Sequence, residues 1–143
     1  MAAPLNILKL SVGTEGVDDL SRWQSRPHVR TADGLPRHVT RMWPRREAEI
    51  VGQGSIYWVI KGVVLARQKI VRLEEVVRED GVRRCALVLD PELVRTAAQP
   101  RRPFQGWRYL PGADAPRDLP PGAADEDALP PRLSAALSEI GVL

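Results

Sequence analysis

Two short stretches gather the side chains best suited to hold an anion. Arg37, His38, Arg41, Arg45 and Arg46 fall within ten residues around Met42-Trp43-Pro44, and Arg101, Arg102 and Arg108 surround Phe104, Gln105, Trp107 and Tyr109. A guanidinium is a planar fork that grips phosphate through paired hydrogen bonds and stacks on aromatic rings. An aromatic ring set among such cations can seat an unpaired base. Gln105 adds amide donors and an acceptor, in a segment whose prolines restrict the backbone and whose Gly106 permits close approach. The expected site is therefore Arg41, Trp43, Arg45, Arg46, Arg101, Arg102, Gln105, Trp107 and Arg108, with phosphates on the arginines and a base on Trp43 or Trp107. The same second stretch would equally serve as an arginine strap sealing one end of a barrel. Trp58, inside an apolar run, is expected in the core.

Charge is unevenly distributed. The chain carries 21 basic and 18 acidic residues, a net +3, yet Arg22 to Arg108 holds 18 basic against 9 acidic ones. The first 21 residues have one base and three acids, and the segment from Tyr109 onward two bases and six acids. A basic centre between acidic ends bears on partners, not on fold. RNA or another polyanion is the expected partner; a solvated arginine surface offset by the tail gives the same arithmetic.

Catalytic patterns are sparse. His28 and His38, the only histidines, lie ten apart without a helical His-Glu frame, so neither metal nor cofactor is expected. His38 beside Asp33 or Tyr57 remains as a general base. Ser55 lacks the Gly-x-Ser-x-Gly elbow, and Gly52-Gln53-Gly54 lacks the spacing of a phosphate-binding loop. Cys85, the single cysteine, excludes an internal disulfide and reads as a buried thiol, which with no secretion signal suits a reducing cytoplasm. No run reaches the ~18 apolar residues that cross a bilayer, so no membrane is expected as partner.

The elements that must position these groups follow from periodicity. Leu5 to Val12 alternates as a strand, with Leu8, Leu10 and Val12 opposite Ile7. Val17 to Ser25 repeats helically through Val17, Leu20 and Trp23/Gln24, with Asp18 and Asp19 in the first turn and Pro27 as a stop. His28 to Pro36 reads as a loop, His38 to Trp43 as extended, and Glu47 to Val51 as a helical turn. Ser55 to Lys61 is the clearest strand, with Ile56, Trp58 and Ile60 on one face and Tyr57, Val59 and Lys61 on the other. Val63 to Arg78 alternates as a long strand, although Leu73 to Glu79 also fits a helical turn; Asp80-Gly81 is a hairpin signal that favours β structure. Lys61 is expected to pair with Glu74 or Glu75. Val82 to Leu89 is a strand, Glu92 to Thr96 a helical turn, and Gly106 to Leu110 a last short strand. These spans give a compact α+β domain over 1–110: a small curved, mostly antiparallel sheet, or a partly closed barrel, with one N-terminal helix. A Pro/Ala/acid-rich arm follows over 111–131, unstructured or strapped over the body. Residues 132–143 hold a C-terminal helix that docks on the body or on a partner.

Several long strings carry a resemblance. Arg41 to Arg46, Gly54 to Gly62, Ala66-Arg67-Gln68, Asp80-Gly81, Arg83-Arg84-Cys85, Leu89 to Val94 and Arg101 to Leu110 resemble a family of small, chiefly alphaproteobacterial proteins, the domain of unknown function DUF1489. The match spans roughly residues 5–116 and implies no activity or catalytic residue. A curved sheet with a Tyr-Trp strand and basic loops is also similar in architecture to PUA-like domains, the ASCH and EVE groups among them. That likeness implies RNA or a modified base as ligand. The expected function is a non-catalytic RNA or modified-base binding module. The alternatives are a protein-interaction or assembly factor using the acidic arm and terminal helix, and a small enzyme acting on an anionic substrate with His38 or Tyr57 as proton carrier.

Overall fold

The structure, a computed structural model, describes residues 4–120. Seven strands and two short helices follow in the order β1 (Leu5–Leu10), α1 (Val17–Gln24), β2 (Arg37–Thr40), α2 (Glu47–Ile50), β3 (Ser55–Ile60), β4 (Val63–Val77), β5 (Arg83–Leu89), β6 (Val94–Pro100) and β7 (Trp107–Pro111). The fold is α+β, dominated by one mixed sheet. Its path runs β2-β5-β4-β3-β1-β7, with β6 also on β4. Only β1 and β3 run parallel; every other ladder is antiparallel.

β3 and β4 form the centre. All six β3 residues are buried, as expected of a β-branched and aromatic run flanked by sheet on both edges. Lys61 and Gly62 join it to β4 with φ of 51° and 82°, the pair of positive values that a two-residue hairpin of matching twist requires. β4 is long enough to serve two partners on one edge, β6 along its first residues and β5 beyond Ile70. It stays extended to Val77, which excludes the helical alternative over Leu73–Glu79.

Three other expectations are corrected. Glu92 to Thr96 does not turn helically, because Val94 and Arg95 pair with Arg67 and Ala66 at the free edge of β4. Lys61 pairs with Glu15, while Glu74 and Glu75 go to Arg72 and Arg83. The strand path ends at β2 and β7 without closing, so no closed barrel exists among the described residues. Of the arm, residues 112–119 run back to the body: Ala97 N–H donates to the Arg117 carbonyl (2.8 Å) and Leu119 N–H to that of Arg95 (2.9 Å). The rest of the arm and the expected C-terminal helix lie outside the described residues.

The two sheet faces bury separate clusters. Leu5, Ile7, Ile56, Trp58, Ile60, Ile70, Leu87 and Leu89 pack under Val17 and Leu20 of α1 and Ile50 of α2. Leu8, Tyr57, Val59, Val64 and Leu110 pack under Phe104 and Ala115. Alternation along each strand sets this division. Among the described residues no helix is long and apolar enough to cross a membrane.

Candidate functional site

A concavity lies on the α1 face of the sheet. β1 runs out into Ser11-Val12-Gly13-Thr14, a loop held to β3 by Ser11 N–H on the Val59 carbonyl (2.8 Å). Thr14 Oγ1 donates back to Ser11, 3.1 Å from its carbonyl and 2.8 Å from its Oγ. Gly13 has φ +85°, which favours glycine there. α1 then turns back over the sheet. Val17, Leu20 and Gln24 form its buried stripe, and Asp19 accepts the Glu15 backbone N–H (3.0 Å) at its amino end. Trp23, expected to share the buried repeat, stands 42% exposed because Gln24 takes the inward position. Between loop and helix opens a cleft of about 810 Å³, floored by Trp58 and His38 and carrying Lys9, Asp19, Arg22, Trp23 and Arg26 on its walls.

His38 reaches this cleft because the sheet curls. Along the strand path β5 and β4 separate β2 from β3, yet the His38 and Trp58 rings meet edge to face at 5.6 Å. His38 shares a face with Leu87, its partner on β5. Neither Asp33 nor Tyr57 assists it. Asp33 is held by Arg72 and Thr31, which keep its carboxyl at about 2, and Tyr57 belongs to the opposite face. Its charged neighbour is Lys9, whose own pKa is lowered by burial. His38 Nε2 is buried without a hydrogen-bond partner among the described residues.

Burial, and secondarily the Lys9 charge, push His38 down to about 4. In the unfolded chain the imidazole titrates near 6.5. Between these values the unfolded state binds a proton that the folded state refuses, so stability is full above about pH 6.5 and declines as the pH falls toward 4. From pH 7 to pH 5 the protein should lose about 2 kcal/mol through this group. Urea midpoints at the two pH values check it: His38→Gln should flatten the decline, and an equal decline in both proteins would contradict it.

A buried amide network sets the cleft walls. Gln68 Oε1 accepts from Trp58 Nε1 and from Gln24 Nε2, each at 2.8 Å, while Gln68 Nε2 donates to Gln24 Oε1 (2.8 Å) and the Asp90 carbonyl (3.1 Å). The indole can only donate, which fixes which end of the Gln68 amide faces it. One side chain thus ties α1 to the floor residue Trp58.

The sequence-predicted groups meet in part. The segment leaving β2 crosses from His38 to Met42, whose carbonyl accepts Trp107 Nε1 (2.9 Å), and Tyr109 Oη accepts the backbone N–H groups of Arg45 (3.0 Å) and Arg46 (3.3 Å). The Arg45 backbone therefore meets Tyr109, and Arg41 precedes Met42 at Trp107; neither arginine lines the cleft. Trp107, however, is buried between Lys9 and the 41–46 segment and offers no face to a base. Trp43 carries the Arg83 guanidinium 4.2 Å above its ring and donates to Glu47 (3.3 Å). Arg46 is engaged by Glu49 through two 2.6 Å bonds. Arg108 bonds the Gln105 and Trp107 carbonyls and covers Phe104, and the Gln105 side chain is exposed. Arg101 is spent on Gln99, and its backbone bonds Gly62 at the β3–β4 turn, away from Trp107 across the sheet; Arg102 is exposed beside it. Among the described residues, Arg41, Arg45 and Arg102 make no side-chain hydrogen bond or ion pair. Arg41 and Asp80 lie close enough for the arginine to lower the carboxylate pKa.

Cys85 is buried with its thiol pushed up to about 12, so it is inert as a nucleophile. Among the described residues no three His, Cys, Asp or Glu side chains gather as metal ligands. Lys9, Ser11, Arg22, Trp23 and Arg26 line the cleft and were missed from sequence; Lys9 and Trp23 carried one weak signal each, a lone lysine inside an apolar strand and a tryptophan beside a polar residue at the same helical repeat.

No curated protein and no solved structure matches the chain. Residues 7–143 match the family model described as a protein of unknown function, DUF1489. With almost its entire length covered by that match, the chain belongs to the DUF1489 family.

Proposed function

We propose that the protein is a non-catalytic module that binds single-stranded RNA and seats one nucleotide in the cleft between the 11–14 loop and α1. The cleft itself carries this reading. Its volume of about 810 Å³ falls in the range of small-ligand sites, and a half-exposed indole, Trp23, stands at its rim. Arg22 and Arg26 flank that indole, and Lys9 lies deeper. Stacking on an aromatic ring beside guanidinium groups is sequence-tolerant and suits an unpaired base, modified or not. Arg41 and Arg45, which follow β2 and make no side-chain hydrogen bond or ion pair among the described residues, would take neighbouring phosphates. A reducing cytoplasm would suit both RNA and the buried Cys85 thiol.

The alternatives draw less support. The assembly reading depends on arm residues mostly outside those described, and the enzyme reading lacks a carboxylate partner for His38 among the described residues.

Fluorescence anisotropy with a short labelled RNA tests the proposal. Contacts with three to five phosphates should give a slope of about −2 to −3.5 in log affinity against log salt. Trp23→Ala should weaken binding about tenfold or more, and Arg26→Glu should make the salt slope shallower by about 0.7 or more. Salt-insensitive binding, or full affinity in Trp23→Ala, would contradict the assignment.

A further inference from the structure

The inner end of the cleft has an electrostatic arrangement that the rim does not share. Lys9 is half-buried, and its ammonium meets one neutral acceptor, the Leu10 carbonyl at 3.1 Å, with no carboxylate within ion-pair distance among the described residues. An ammonium has three donors, so two remain unused. Among the described residues Asp19 is the only carboxylate lining the cleft, and it is already engaged by the Glu15 N–H and by Arg22 at 3.1 Å. Ser11 Oγ adds a hydroxyl, 2.8 Å from Thr14 Oγ1. His38 adds a buried nitrogen without a partner.

The charges lining the cleft beside His38 are cationic apart from Asp19. β1 contributes Lys9, and α1 contributes Asp19, Arg22 and Arg26; β3 contributes uncharged Trp58, and β5 sets Leu87 opposite. Lys9 and a charged His38 repel each other, and burial penalises both. An anion with several acceptor oxygens reverses the sign of that interaction and favours the charged form of each.

We propose that Lys9, Ser11 and His38 form a phosphate site at the inner end of the cleft, and that His38 takes up a proton from solvent as the phosphate binds. This rests on the RNA reading and names the part of the nucleotide that the cleft anchors. No covalent bond changes: one proton moves from water to the imidazole, and the phosphate gains charge-assisted hydrogen bonds. Affinity therefore increases as the pH falls through the phosphate-bound midpoint of His38, by up to tenfold per unit, and the gain ends at the free midpoint of about 4. Below about pH 6, protonation of a phosphomonoester itself opposes the gain.

The direct test is an NMR titration of the His38 ring with and without inorganic phosphate, run beside RNA binding. Phosphate should raise the His38 midpoint from about 4 by at least one pH unit. Lys9→Gln should weaken phosphate binding about tenfold; if that variant misfolds, Ser11→Ala should do so by a smaller factor. An unmoved His38 midpoint overturns the phosphate site, even where RNA still binds. A raised midpoint in a protein that ignores RNA confirms the phosphate site and overturns RNA as its source. Oligonucleotides with a 5′-phosphate or a 5′-hydroxyl separate the two phosphate sources: preference for the former assigns a chain end, and equal affinity an internal diester.

Discussion

Gly54→Ala should destabilise the protein by about 3–5 kcal/mol, the largest effect expected of adding a single methyl group. A Cβ at Gly54 would lie 2.0 Å from the Leu5 carbonyl oxygen and 3.2 Å from that of Ile50, both backbone atoms that no side-chain rotation can move aside. Gly54 is also fixed from both sides, donating to the Ile50 carbonyl at 2.7 Å and accepting the Ile70 N–H at 3.0 Å. Relief therefore requires β1 to move off β3, and β1 carries Lys9. Gly13→Ala is the control. It meets nothing within 4 Å, so only its positive φ opposes the methyl, at about 1 kcal/mol. Denaturant midpoints separate the two, and near-equal losses would show that β1 and β3 are not packed as described.

Gln68→Leu should cost about 3–5 kcal/mol. Leucine approximates the volume but leaves the Trp58 N–H, the Gln24 amide and the Asp90 carbonyl without their partner. Gln68 itself is fully buried, and Trp58 and Gln24 nearly so, which limits rescue by water. A buried donor or acceptor left alone loses about 1–3 kcal/mol, and shared partners keep the losses from adding fully. The double variant Gln24→Leu/Gln68→Leu should recover part of the loss by removing both amides together. RNA affinity should fall in Gln68→Leu even under conditions where it stays folded, because α1 and Trp58 lose their common tether. Unchanged stability would mean that the amide network is not formed.

Local pattern made much of this legible. The β3 faces, the α1 start and stop and the core position of Trp58 follow from alternation, turn chemistry and burial, which act over a few residues; Asp80-Gly81 marks a hairpin too, but one that turns over residues 78–82 and not over two residues. β6 was not legible, because Val94 to Pro100 has little β character of its own and is extended by pairing with β4. Clustering in sequence correctly brought the Met42 and Trp107 segments together as neighbours, but it could not show that Trp107 is buried or that Glu49 engages Arg46. The cleft was hidden for a different reason. Lys9, Trp23, His38 and Trp58 come from four separate elements, and only the curl of the sheet brings β2 across to β3. Curvature is set by twist and long-range pairing, not by any single stretch of residues.

The most direct measurement is an amide chemical-shift map of the labelled protein titrated with a short single-stranded RNA. Binding in the cleft predicts that the largest shifts fall on Lys9 to Thr14, on Asp19 to Arg26 and on His38, with smaller ones along Arg41 to Arg46. Shifts confined to Arg101 to Arg108, or none at saturating RNA, would contradict it.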